Sequence, residues 1–134
     1  MKLIIYTDGG ARGNPGPAGI GAIAKTPEGE IVFEVSEYIG ETTNNQAEYK
    51  AVVAAILKAK ELKVEEIDFF LDSELVVKQL KREYKVKNKD LAPLFVKIYN
   101  AVMEFKKVTF THVRREFNKE ADALANKAMD KGSR

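Results

Sequence analysis

Four acidic residues stand where a carboxylate is costly. Asp8 ends one apolar run, Leu3-Ile4-Ile5-Tyr6-Thr7, and Asp72 ends a second, Ile67-Asp68-Phe69-Phe70-Leu71. Glu48 lies between Ala47 and Ala51, and Asp122 among Ala121, Ala123 and Ala125, each at the border of an apolar helical face. A charge in such a place is unfavourable unless it is paired or binds a cation. Taken singly, each acid has a structural reading: Asp72 as a turn residue, Glu48 and Asp122 as partners of a helix N-terminal dipole. Taken together, clustered carboxylates would repel severely, and two divalent cations would balance them. All-oxygen hard ligands select Mg²⁺, with Mn²⁺ as the alternative. Two such ions about 4 Å apart clamp the attacking water and the leaving oxygen of a phosphodiester. No side-chain nucleophile is then needed, and none stands out.

The residues after Asp8 point the same way. Gly9, Gly10, Gly13 and Gly16, with Pro15, follow it closely. Glycine permits positive φ and close backbone approach. The segment therefore predicts a loop that lays N–H groups against a ligand, with an ordinary hairpin turn as the alternative.

The elements that must carry these acids follow from periodicity. Lys2 to Thr7, Ala18 to Ala24 and Ile31 to Ile39 read as strands. Thr26-Pro27-Glu28-Gly29 is a turn signal, and the short connections predict an antiparallel meander. In the third strand Ile31, Phe33 and Val35 form the inward set. Capping residues Thr42-Thr43-Asn44-Asn45 precede an Ala-rich helix reaching about Leu62. Ile67 to Leu71 is a fourth strand. Ser73 then caps a short helix, Glu74 to Lys81, with Leu75, Val76 and Leu80 inward. A basic connector, Arg82 to Lys89, leads to Asp90. That residue is expected to cap a helix with apolar positions Leu91, Leu94, Phe95, Ile98, Ala101, Val102 and Phe105, and Pro93 in its first turn. Lys107 to Val113 is a fifth strand, Arg114 to Asn118 a turn, and Asn118 to about Asp130 the last helix.

This order predicts an α/β fold: a five-stranded mixed sheet, with a three-strand antiparallel meander plus two parallel strands, and helices on both faces. The carboxyl ends of the parallel strands share one edge, where ligands of open α/β sheets bind. Residues 1–134 are expected to form a single domain.

Composition bounds the remainder. Lys and Arg number 22 against 20 Asp and Glu, a net charge of +2, so charge alone does not hold this chain to nucleic acid. The absence of Cys excludes disulfides and thiolate metal sites. The apolar run Ala51 to Leu57 is far too short to span a membrane. No signal peptide is recognised. A cytoplasmic, non-membrane protein is expected, with monomer as the default because no dimerisation signal stands out.

Four stretches resemble the signatures of type 1 ribonuclease H. These are Tyr6-Thr7-Asp8-Gly9-Gly10 through Gly19, Thr42 to Glu48, Asp72-Ser73-Glu74, and Asn118 to Ala125. They occur in the family's order and span essentially the whole chain. The resemblance implies a ribonuclease H-like fold and endonucleolytic hydrolysis of the RNA strand of an RNA–DNA hybrid, leaving 5′-phosphate and 3′-hydroxyl ends. A side activity on double-stranded RNA goes with shape-based recognition. The resemblance makes Asp8, Glu48, Asp72 and Asp122 the metal-binding catalytic acids, with Asp8 bridging two cations and Glu48 near the ribose 2′-hydroxyl. Asn14, Asn44 and Asn45 would line the minor groove, where 2′-hydroxyls identify RNA, and Gly9 is a further substrate-contact candidate. Thr43 and Asn88 match positions that contact a DNA-strand phosphate, and Lys87 of the basic connector is a further candidate.

Three departures from the family pattern stand out. Glu74 replaces a Gln common among relatives, and an acid there needs a partner or must point away from nucleic acid. Arg82 to Lys89 is all that stands for a larger basic handle, which predicts weaker binding with a steep salt dependence. The family's mobile histidine has no clear counterpart: His112 falls on the alternation of Val108 and Phe110, as an inward strand residue would. Arg115, in the following turn, is the alternative assistant to product release. Two other functions remain open from sequence: a nuclease of different substrate preference on the same scaffold, and a hybrid-binding module without catalysis.

Overall fold

The computed structural model describes residues 1–132. Three strands, β1 (Lys2–Ala11), β2 (Gly16–Lys25) and β3 (Ile31–Thr42), form the meander. Helix α1 (Asn44–Glu61) leads to β4 (Glu66–Leu71), α2 (Glu74–Leu80), α3 (Ala92–Val102) and β5 (Lys107–His112). A single 3₁₀ turn, Arg115–Phe117, precedes α4 (Lys119–Gly132). The sheet order is β3-β2-β1-β4-β5. The β1–β2 and β2–β3 pairs are antiparallel, and β1–β4 and β4–β5 parallel, the mixed sheet that the element order predicts.

One face of this sheet is the main core. Leu3 and Ile5 of β1, Ile67 and Phe69 of β4, and Phe110 of β5 pack beneath Val52, Ala55 and Ile56 of α1. Phe69 and Phe110 stack with ring centroids 5.4 Å apart. Burial of these large apolar side chains, each contributing about 1.5–3 kcal/mol, outweighs any local preference. The opposite face of β1 and β2 is covered by α4, which rests on backbone: a Cβ at Gly21 would lie 2.3 Å from the Ala121 carbonyl oxygen. Alanines on the facing side of α4, Ala121, Ala125 and Ala128, complete the close approach.

A buried polar tie joins α1 to α2. The Tyr49 hydroxyl donates to Gln79 Oε1 at 2.6 Å, and both residues are buried. Tyr49→Phe leaves that oxygen without its donor. Urea denaturation is expected to show a loss of about 1–2 kcal/mol, with no change in the site described below.

The structure departs from expectation in several places, among them β3, which runs to Thr42, and α3, which ends at Val102 before Phe105. β1 does not stop at Thr7: Asp8, Gly9, Gly10 and Ala11 continue the ladder against Gly21, Ile20, Gly19 and Ala18. The predicted glycine loop is therefore partly strand, because small residues on both strands let the pairing run on beneath α4. α3 starts with Leu91 at its N-cap position and no side-chain cap, while the Asp90 N–H is taken by Asn88 Oδ1 at 2.7 Å. Leu75 is 42% exposed; the short α2 buries Val76, Val77 and Leu80 instead. Ile31, at the start of edge strand β3, is also exposed, whereas Phe33 and Val35 point inward as expected. Ser73 caps α2 as predicted, accepting from the Val76 N–H. Among the described residues, no helix is long and apolar enough to cross a membrane.

Candidate active site

The strand register places the first two acids side by side. The parallel ladder between β1 and β4 ends at Thr7 and Leu71, and the next residues are Asp8 and Asp72. Asp8 pairs with Gly21, whose missing side chain faces α4, so the Asp8 carboxylate emerges on the α4 side of the sheet. The first turn of α1 is brought in by Gly9. A Cβ there would sit 2.3 Å from the carbonyl carbon and oxygen of Ala47 and 2.6 Å from the Glu48 nitrogen. Thr43 caps that helix by accepting from the Gln46 N–H at 3.2 Å.

The result is a tight cluster. Carboxylate oxygens of Asp8, Glu48 and Asp72 all lie within 4.8 Å of one another. Asp122, one turn into α4, lines the same cavity of about 370 Å³. Asp8 and Glu48 are each only 8% exposed. Burial pushes the Asp8 carboxyl up to about 7, reinforced by the nearby carboxyls of Asp72 and Asp122. Burial likewise holds Glu48 well above the usual carboxylate range, with Asp8 and Asp72 adding to it. The Gly9 N–H opposes the rise of Glu48 only in part, and the same N–H donates to Asp8 Oδ1 at 3.0 Å.

The cluster fits divalent cations. Glu48 Oε2 is buried with no hydrogen-bond partner. Among the described residues, no ion pair engages any of the four acids. Arg12, on the cavity rim, is paired with Asp130 instead. Buried like charges without a counter-charge are strongly unfavourable, and an all-carboxylate donor set matches hard cations.

The other sequence candidates fall into three groups. Asn14 and Asn44 join the first: Asn14 Oδ1 accepts from the Asn44 N–H at 3.0 Å, and Asn44 Oδ1 accepts from the Ala11 N–H at 2.8 Å. Both amide oxygens are committed to backbone, which leaves the NH₂ ends to meet other groups. Gly9 and Asn44 line the acidic cavity, and Asn45 is exposed next to Asn44. Lys87 and Asn88 lie apart, exposed on the connector before α3. Glu74 pairs with Lys78 at 3.1 Å, and that ammonium holds its carboxyl below the usual value.

His112 and Arg115 part company. His112 is exposed rather than inward, because β5 is an edge strand and 112 is its last residue. It borders a shallow cavity with Glu74, Lys78 and Lys81, outside the acidic cavity. Arg115 lines the acidic cavity from the 3₁₀ turn.

Sequence reasoning missed Asn118. It is 1% exposed, and its Nδ2 donates to the Thr7 carbonyl at 2.9 Å and to Asp72 Oδ2 at 3.1 Å. Its position four residues before Asp122, facing the same Ala-rich helical side, was the available signal.

Comparison with known proteins agrees with this geometry. A family model described as reverse transcriptase-like matches residues 6–128. A bifunctional protein of Mycobacterium tuberculosis is 43% identical over 97% of this chain and 36% of its own length. A ribonuclease HI of Halobacterium salinarum is 42% identical over 96% of this chain and 65% of its own. This chain thus spans about a third of one relative and under two thirds of the other. The crystal structure of LC11-RNase H1 in complex with an RNA/DNA hybrid superposes with a TM-score of 0.94 at 46% identity, covering 98% of this chain and 99% of that one. A fold aligned over nearly the whole of both chains at that identity means that this chain belongs to the ribonuclease H family.

Proposed function

We propose that this chain is a metal-dependent endoribonuclease that hydrolyses the RNA strand of an RNA–DNA hybrid. The observation that carries the reading is the convergence of Asp8, Glu48 and Asp72, two of them buried, with no ion pair among the described residues engaging them. Family membership and the hybrid bound by the similar LC11 protein support the substrate.

Two divalent cations, Mg²⁺ with Mn²⁺ as the alternative, would be held by Asp8, Glu48, Asp72 and Asp122. They would supply the Lewis acidity that activates a water and offsets charge on the leaving oxygen. The protein's own share is positioning. Strand register fixes Asp8 beside Asp72, and the α1 contact at Gly9 fixes Glu48, close to where a ribose 2′-hydroxyl would lie. Asn14, Asn44 and Asn45 offer amide donors to the minor groove, where 2′-hydroxyls distinguish RNA from DNA. Thr43, Lys87 and Asn88 suit contacts to the phosphates of the DNA strand. Arg115, on the cavity rim, is suited to meeting a phosphate of the product. The products are a 5′-phosphate and a 3′-hydroxyl.

A gel assay tests the whole reading. Labelled RNA–DNA hybrid, double-stranded RNA and double-stranded DNA are each incubated with Mg²⁺, Mn²⁺ or EDTA. Hybrid is expected to be cut fastest, double-stranded RNA weakly, DNA not at all, and nothing in EDTA. Cleavage that persists in EDTA, or DNA cut faster than hybrid, would overturn the reading.

A further inference from the structure

We infer that Asn118 is a positioning residue for the acid cluster, clamping Asp72 against the strand that carries Asp8. The inference rests on the metal-dependent reading above. Asn118 stands where three ligand-bearing elements meet. Its Nδ2 donates to the carbonyl of Thr7, the residue before Asp8, and to Oδ2 of Asp72. Its own carbonyl accepts from the Asp122 N–H at 3.0 Å, in the first turn of α4. One side chain thus touches β1 and the β4–α2 corner, while its backbone seats the helix bearing Asp122.

The chemistry settles the orientation of the amide. Both partners are acceptors only, so the NH₂ end alone fits between them. Asn118 Oδ1 is left buried without a partner. A side chain selected for stability alone would avoid such an orphan, since an apolar group of similar shape would carry no unmet acceptor. The amide is therefore explained by what it holds. Asp72 is only half-buried and follows the end of its strand, where nothing else among the recorded side-chain hydrogen bonds restrains it. With Oδ2 engaged, rotation of the Asp72 carboxylate beside Asp8 and Glu48 is restrained. Partners that orient a metal ligand in this way matter about 10–100-fold for metal affinity.

The test is Mn²⁺ titration of the full chain by calorimetry, with a melting curve for each variant. Wild type that binds Mn²⁺, and Asp8→Asn that does not, establish the underlying metal reading; failure at this step sinks that reading and is visible without Asn118. Asn118→Ala is then expected to weaken Mn²⁺ binding about 10–100-fold. In an Asp72→Asn background the same substitution should change affinity by less than about threefold, because its route through Asp72 is already gone. Unchanged affinity in Asn118→Ala, whatever its melting temperature, would reduce Asn118 to a structural tie. Equal weakening with and without Asp72 would also overturn the inference. Should Asn118→Ala fail to fold, Asn118→Ser, which is polar but too short to reach both acceptors, is read by the same two outcomes.

Discussion

Asp8→Asn is expected to abolish hydrolysis of the hybrid, by at least about a thousandfold, and at the same time to stabilise the metal-free protein. The two effects share one cause. Asp8 is buried beside Asp72, Glu48 and Asp122, and its carboxyl is pushed up to about 7. In the unfolded chain it titrates near 3.9. Between these values the folded protein holds a proton that the unfolded chain has released. Stability without metal is therefore greatest below the unfolded value and falls as pH rises through the folded one. Glu48, raised for the same reason, adds to the slope. The loss between about pH 4 and pH 8 is on the order of 2–4 kcal/mol. Removing the charge with an isosteric amide should flatten the profile and raise the metal-free melting temperature at about pH 8 by roughly 5 °C or more. Mg²⁺ should raise the wild type in the same pH range and leave Asp8→Asn almost unmoved. Melting curves at several pH values, with EDTA and with Mg²⁺, check both halves. An Asp8→Asn protein that still cleaves, or that melts lower than wild type in EDTA, contradicts the assignment.

Gly9→Ala should be nearly as damaging without touching a charged group. Its new methyl would lie 2.3 Å from the Ala47 carbonyl and 2.6 Å from the Glu48 nitrogen. These are backbone atoms at the first turns of α1, so no side-chain rotation relieves the clash. Helix α1 must withdraw by about 1 Å, and Glu48 goes with it. A destabilisation of about 2–3 kcal/mol is expected in urea, with a fall in rate of about a hundredfold at saturating metal. Gly10→Ala is the internal comparison. Its methyl would meet only Met129 Cε at 3.6 Å and Asn44 Oδ1 at 3.9 Å, ordinary contacts. Its stability should stay within about 0.5–1 kcal/mol of wild type. Equal losses in the two variants would mean that flexibility, not the approach of α1, is what glycine provides at position 9.

The sheet was legible in the sequence because each strand is a short apolar run between strong turn signals. Each of the four acids has a local structural reading in the sequence, and only their number at compatible element ends suggested a cluster; the structure brings Asp8, Glu48 and Asp72 together with Asp122 lining the same cavity. The same reasoning misjudged Gly9 and Gly10. A run of glycines reads as a loop when only local propensity is considered, but here both continue a strand, and at Gly9 the backbone of α1 comes too close for a side chain. That is a tertiary constraint, invisible until α1 and α4 are in place. Leu75 and His112 were misplaced for a related reason. Periodicity says which residues share a face, but not whether a two-turn helix or an edge strand has anything on that face to pack against. Asn118 was overlooked because a polar residue before a helix has a sufficient local role as a cap. Its burial against Thr7 and Asp72 depends on contacts across the whole chain.

The seam between α4 and the glycines of β2 has a consequence for the acid cluster. Backbone lies against backbone there, so α4 is either seated or not; no partly withdrawn position keeps the contact. Lifting that helix would take Asp122 away and release the grip on Asp72 in a single motion. On the proposed reading, displacing α4 would therefore disturb the acid cluster at two of its members together.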